Sequence, residues 1–224
     1  LKEWKVLNSV GVGNCGAIPG HLVPDYPKAL RLGWKGIQAE AQAVVGNPGS
    51  TSAQRDLARA VVIAAETVRL FAERYAAEAE RQAGIATDPG RQAELQHIAR
   101  ICRKVPWNPA ETFPEAIQAL WTSHMLVMAA ESYPGPGVSP GRVDQYLYPY
   151  YQSDLDKGRL TREEAGEWLR CLWIKHNYAY DYQGWVGGNQ GINSSFGQLI
   201  TLGGMDADGN DASNDLTYLM LDVI

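Results

Sequence analysis

No run of apolar residues in this sequence is long enough to cross a bilayer; the longest, such as AVVIAA at 60–65, fall far short of the roughly 20 residues a membrane helix needs. The opening LKEWKVLNSV also lacks the apolar core of a signal peptide. These absences predict a cytoplasmic protein with no membrane partner. A basic cluster is missing too: the net charge is −5, and neutralising phosphates needs grouped Lys and Arg, so nucleic acid is excluded as a partner. Cysteine is scarce. Cys15, Cys102 and Cys171 are an odd number at wide, irregular spacing, which fits neither a disulfide framework nor a zinc site and predicts reduced thiols. Repeats, low-complexity tracts and a clear domain boundary are absent as well.

What is present is enough for a packed core: 224 residues with 45% hydrophobic content. Leu1 enters without a starting Met and the apolar run LTYLMLDVI stops at Ile224 without a cap, so the expectation is an excerpt from a longer protein. PKALRLGWKGIQAEAQAVV reads as a helix with Gly33 and Gly36 as points of close packing. The segment from Ser52 places Leu57, Val61, Ala64, Val68, Phe71 and Tyr75 on one stripe, a long amphipathic helix of about eight turns. Further helices are predicted over 90–104, from NPAETF to about Ala130, and over LTREEAGEWLRCLWIKHNYAYDY, where Thr161 and Glu164 form a capping signature. FGQLITLGG reads as a short strand and MDADGNDAS as a turn, with Ser213 or Asp211 capping a last helix.

Two motif matches fail on mechanism. GVGNCG at 11–16 has the dinucleotide glycine pattern, but Pro19, Gly20 and Pro24 forbid the helix that would hold a pyrophosphate. DADGND at 206–211 imitates the start of a calcium loop, yet its sixth position is Asp211 and its twelfth Thr217, where Gly and Glu are required. No metal site is predicted. Cys15 with His21 could pair a thiol with its base, but no third group orients the imidazole. His97, His124 and His176 sit in helices and read as structural.

The costliest stretch is ESYPGPGVSPGRVDQYLYPYY at 131–151. Pro134, Pro136 and Pro140 remove donors, Gly135, Gly137 and Gly141 open backbone angles closed to other residues, and a polar layer of Arg142, Asp144, Gln145, Tyr146 and Tyr148 follows. Something forces a sharp turn there.

That stretch, with PGHLVPDYPKAL at 19–30, VPWNPAETFPEAIQAL at 105–120 and LGGMDADGNDASNDLTYLMLDVI at 202–224, resembles the glycyl radical enzymes, the pyruvate formate-lyase-like group, in its dehydratase and lyase branch. The resemblance runs in order across nearly the whole chain. It implies an α/β fold in which residues 1–224 are a helix-rich, predominantly α-helical portion of a ten-stranded α/β barrel domain. It implies a glycyl radical installed by a radical-SAM activating enzyme, a small-molecule substrate, and a homodimer of the full-length protein. The family's thiyl cysteine lies in a GC-E-like loop and its radical glycine in an RV-GY-like motif; neither occurs in this sequence, so no catalytic residue is assigned within it, and the piece alone is expected to be inactive.

Substrate-side positions do carry over. His21 in GHLVPDY falls where dehydratases of the family set a histidine against a substrate hydroxyl and where the choline lyase has an aspartate. Gly13 stands where an aromatic wall is common, and Pro136 and Gly137 replace a His-Ser pair. Asn193 and Ser194 fall near a position where relatives place Tyr or Phe over the substrate. The implied reaction is elimination of hydroxyl, amine or sulfonate. Arylacetate decarboxylation, keto-acid carbon–carbon cleavage and a non-catalytic scaffold are the alternatives.

Overall fold

The structure is a computed structural model and describes residues 22–130, 138–186 and 199–224, the side chains of 177–186 excepted. Among the described residues there are seven helices and two isolated β-bridges, with no strand. The helix-rich expectation is met. FGQLITLGG contributes to a single bridge rather than a strand, and no barrel is formed by the described residues.

Helix α1 (Tyr26–Gly46) starts where Asp25 accepts from the Lys28 amide, and it kinks at Gly33, whose φ is 63°. The amides of Trp34 and Lys35, released by the kink, donate to the carbonyls of Pro106 and Trp107. A Cβ on residue 33 would lie 2.4 Å from the Trp107 carbonyl oxygen, so only glycine lets the 105–110 loop approach this closely. Gly36 is different: its Cβ would meet only Leu32 of its own helix, and no other element packs there.

Helix α2 (Ser52–Ile85) opens with a capping box between Thr51 and Gln54. Its buried face shares only Val68 with the stripe that hydrophobicity suggests, with Val61 and Phe71 half-buried. Ala58, Ala65, Val68, Ala72, Ala76, Ala79 and Ala83 face inward, while Leu57 and Tyr75 are 70% and 54% exposed. Alanine favours the helix intrinsically and lets the backbones of α1 and α3 come close, which larger side chains would prevent. Helix α3 (Pro89–Lys104) is capped by Asp88, and Arg103 and Lys104 in its last turn oppose the negative end of its dipole.

Helix α4 (Phe113–Ala130) is the centre, packing against α1, α2, α3, α5 and α6 and burying Phe113, Ala116, Ile117, Leu120 and His124. Its first amide, that of Phe113, donates to the buried Asp154 carboxylate at 2.7 Å, and Arg159 balances that charge. Asp154 belongs to α5 (Val143–Asp156), a helix over the Tyr-rich stretch despite Pro149 inside it. Val143, Leu147 and Tyr151, one turn apart, are all buried against the core. Helix α6 (Arg162–Val186) begins at the predicted Thr161–Glu164 box. Helix α7 (Asp215–Asp222) is capped by Asn214, not by Ser213 or Asp211: the Asn214 carboxamide accepts from the amides of Leu216 and Thr217, whereas Asp211 turns back to the Ser213 amide.

Candidate functional site

Three stretches without helix meet at one edge of the bundle. The Leu22 carbonyl accepts from the Ser139 amide at 2.8 Å, and the Gly141 carbonyl accepts from the Thr201 amide at 3.0 Å. Gly141 and Ile200 form a parallel bridge. The central stretch, Val138 to Gly141, is buried, and Leu22, Val23 and Leu199 on its flanks are exposed. Gly141 has φ 75°, and a Cβ there would lie 2.8 Å from the Val23 side chain, so glycine sets how tightly the first stretch sits on the second. Tyr146 donates to the Pro140 carbonyl at 2.9 Å from the following helix.

Behind this junction lies a buried carboxylate. Asp144 is fully buried, and its Oδ2 accepts from the Gly203 amide at 2.7 Å, the Thr217 hydroxyl at 2.5 Å and the Gln145 carboxamide at 3.0 Å. Its Oδ1 has no hydrogen-bond partner among the described residues. Arg142 wraps the same turn, donating to the carbonyls of Gly203 and Met205. The polar layer read after the Gly/Pro bend is therefore real at Arg142, Asp144 and Gln145.

On the other side, Tyr26 at the head of α1 reaches His124 Nδ1 in α4 at 2.6 Å. The His124 ring lies 4.9 Å from that of His176 in α6, and Trp121 stands edge-on to His176 at 5.5 Å. Burial pushes the Tyr26 phenol far above its ordinary range; Tyr146 is raised too, by burial first and then by Tyr26 and Asp144. The structural reading of His124 fits its complete burial.

The described thiols are not poised as nucleophiles. Burial pushes Cys102 up to about 11, and Cys171 is also raised, by burial and then by Glu167. The cavity beside Cys102, about 30 Å³ between Phe71, Trp121 and Gln118, has room for a water and not for a substrate. No three His, Cys, Asp or Glu side chains among the described residues gather as metal ligands would, and no helix among them is long and apolar enough to cross a membrane. Asp206 folds onto its own turn, accepting from the amides of Asp208 and Asn210.

His21, Gly13, Gly137, Asn193 and Ser194 all lie outside the described residues, as does Cys15. Their described neighbours in the chain are informative: Leu22 follows His21, Val138 follows Gly137, and both belong to the junction that Ile200 and Thr201 complete. What sequence reasoning missed is the pairing across it. No local pattern announces that Asp144 will hold Gly203, 59 residues away.

Residues 12–224 match the family model described as pyruvate formate lyase-like. The chain belongs to this glycyl radical enzyme family. It is 39% identical to the isethionate sulfite-lyase of Oleidesulfovibrio alaskensis over 89% of its own length and 25% of that protein's. It is 35% identical to the trans-4-hydroxy-L-proline dehydratase of Clostridioides difficile, covering 92% of this chain and 27% of the dehydratase. The glycerol-bound B12-independent glycerol dehydratase of Clostridium butyricum superposes with a TM-score of 0.79 at 33% identity, over 91% of this chain and 26% of that one. The chain thus spans about a quarter of the length of these glycyl radical enzymes.

Proposed function

We propose that these residues are the substrate-side part of a glycyl radical lyase that eliminates a leaving group, hydroxide or sulfite, from a small polar substrate. The observation that carries this reading is the three-way junction of Leu22, Ser139–Gly141 and Ile200–Thr201, in a chain similar to a sulfite-lyase and to dehydratases. In this reading the three side-by-side stretches are ends of strands of the family's ten-stranded barrel, and residues 1–224 belong to the barrel domain. The enzyme works in the cytoplasm as a homodimer, with a radical-SAM activating enzyme as its partner.

The protein radical supplies hydrogen abstraction at the carbon beside the one bearing the leaving group. In this reading that role belongs to the family's GC-E-like loop, whereas Cys102 and Cys171 lie within helices of the bundle. This chain's own residues bind and orient the substrate. His21, flanked in the sequence by Pro19-Gly20 and Pro24, gives a proton to the departing oxygen or holds the hydroxyl next to it. Gly13 and Gly137 leave room in the wall, and Asn193 and Ser194 offer hydrogen bonds where an aromatic would offer a face. Loop-borne groups on a rigid scaffold are the common arrangement for such a cavity.

The test is the full-length protein activated anaerobically and supplied in turn with diols, hydroxyprolines, amino alcohols and hydroxysulfonates. Elimination from one class, with hydrogen returned to the product, is expected. A full complement of radical with no elimination from any class would overturn the proposal.

A further inference from the structure

We infer that Arg142 and Asp144 are positioning residues of the substrate cavity: together they lock the register of the 199–205 stretch against the 138–141 stretch. The inference rests on the proposed function for the cavity, and on the described residues for the lock.

Gly203 is held by both of its backbone groups. Its N–H donates to Asp144 Oδ2 at 2.7 Å and its carbonyl accepts from Arg142 Nη2 at 2.6 Å. Arg142 Nη1 reaches one step further, to the Met205 carbonyl at 3.0 Å. On the other side of Gly203 the Thr201 amide is held by the carbonyl of Gly141, the residue before Arg142. Four consecutive positions, Gly141 to Asp144, therefore grip 201–205 through three of their number. The stretch so held carries Ile200, which bridges to Gly141, and Leu199, which is exposed at the junction.

Stability alone does not call for this arrangement. A turn of this kind can be held by neutral groups, whereas here a carboxylate is completely buried with one oxygen unpartnered among the described residues, and Arg142 Nε is buried without a partner as well. Buried, incompletely satisfied charge costs stability, and its best-attested return is a single fixed register. Register matters at this place. A slip of one residue would turn the side chains of 199 and 200 to opposite faces and rebuild the wall beside the junction.

The two groups that hold Gly203 can be separated from the one that only ties in α7. All three donors on Asp144 converge on Oδ2, so the oxygen of an asparagine can take its place. In the full-length protein, Asp144→Ala and Arg142→Met are expected to raise the substrate KM by at least about tenfold, with radical content within about twofold of the parent. Amide exchange across 199–205 is expected to quicken in both. Asp144→Asn should stay within about threefold of the parent KM, and Thr217→Val, which removes the bond from α7 to Asp144 and the acceptor of the Asn214 amide in the α7 cap but neither bond to Gly203, should lower the melting temperature and leave KM in place. The lock is overturned if exchange at 199–205 is unchanged in both Asp144→Ala and Arg142→Met. Its positioning role is overturned if exchange quickens while KM does not move, or if Thr217→Val raises KM equally. Should Asp144→Ala not fold, Arg142→Met alone decides. If the parent enzyme converts none of the substrate classes, the proposed function has failed, and the exchange measurement still judges the lock.

Discussion

Tyr26 and His124, 98 residues apart, meet in the core with the phenol oxygen 2.6 Å from Nδ1. Burial holds the phenol in its protonated form, so the hydroxyl donates and the imidazole accepts. The contact ties the head of α1 to the central helix four residues after the junction begins at Leu22. It anchors the stretch that emerges from His21 at one end, as the Leu22–Ser139 hydrogen bond does at the other.

Tyr26→Phe keeps the ring and removes the donor. The buried contact to His124 Nδ1 is then lost, and removing one side of a buried hydrogen bond typically costs about 1–3 kcal/mol. A urea titration of the full-length protein should show a lower midpoint with an unchanged slope. An unchanged midpoint would mean that another group takes over the imidazole at no cost.

The same phenol shapes the alkaline limb of stability. An unfolded tyrosine ionises near about 10, and the native state keeps Tyr26 protonated well above that. Above pH ~10 the unfolded chain therefore binds fewer protons than the native one, and stability falls as pH rises, by up to about 1.4 kcal/mol per pH unit for each such group. Below that pH the contribution is fully present. Tyr146 and Cys102, both raised by burial, act in the same direction. Stability curves between pH 9 and about 11.5 should be shallower for Tyr26→Phe than for the parent, by close to one proton's share.

Much of the helical framework was legible in the sequence, and the failures have physical causes. The Thr161–Glu164 box, the start of α3 and the span of α4 follow from local rules, because caps and proline act on their immediate neighbours. The inward face of α2 did not, since a hydrophobic stripe is weighted toward Leu and Tyr, whereas the close approach of α1 and α3 selects Ala65, Ala72 and Ala76. Helix α5 was hidden by Pro149 and by tyrosines that favour strands, although Val143, Leu147 and Tyr151 carry its period. At the candidate site, the polar layer was legible as an oddity of composition. Its purpose was not, because both groups that Arg142 and Asp144 hold on Gly203 lie about sixty residues downstream.

Gly33 offers a direct test of the α1 kink. An alanine there would meet left-handed strain at φ 63° and put its Cβ 2.4 Å from the Trp107 backbone oxygen, which is tied to the Lys35 amide. Strain of that kind costs about 1–2 kcal/mol by itself, and the clash adds to it. Gly33→Ala is expected to destabilise the full-length protein by at least about 2 kcal/mol, while Gly36→Ala, whose Cβ would lie 2.9 Å from Leu32 Cβ of its own helix and meet no other element, should cost clearly less, because only one turn of α1 has to shift and helix propensity offsets part of it. Equal effects at the two positions would mean that the loop at 105–110 moves with the kink.

His21 decides between a working loop and an ordinary one. If its imidazole serves the leaving group as acid or holds a substrate hydroxyl, its loss removes a contribution typically worth about a hundredfold to ten-thousandfold in rate. In the proposed reading the radical is installed on a different segment and should not notice. His21→Ala in the full-length protein is therefore expected to keep its glycyl radical, counted by electron paramagnetic resonance, while turnover per radical falls by at least about a hundredfold. A histidine that merely satisfies backbone groups of the loop would instead lower the melting temperature and leave turnover per radical near normal. Counting radicals and product in the same samples separates the two outcomes, and normal turnover per radical removes His21 from the site.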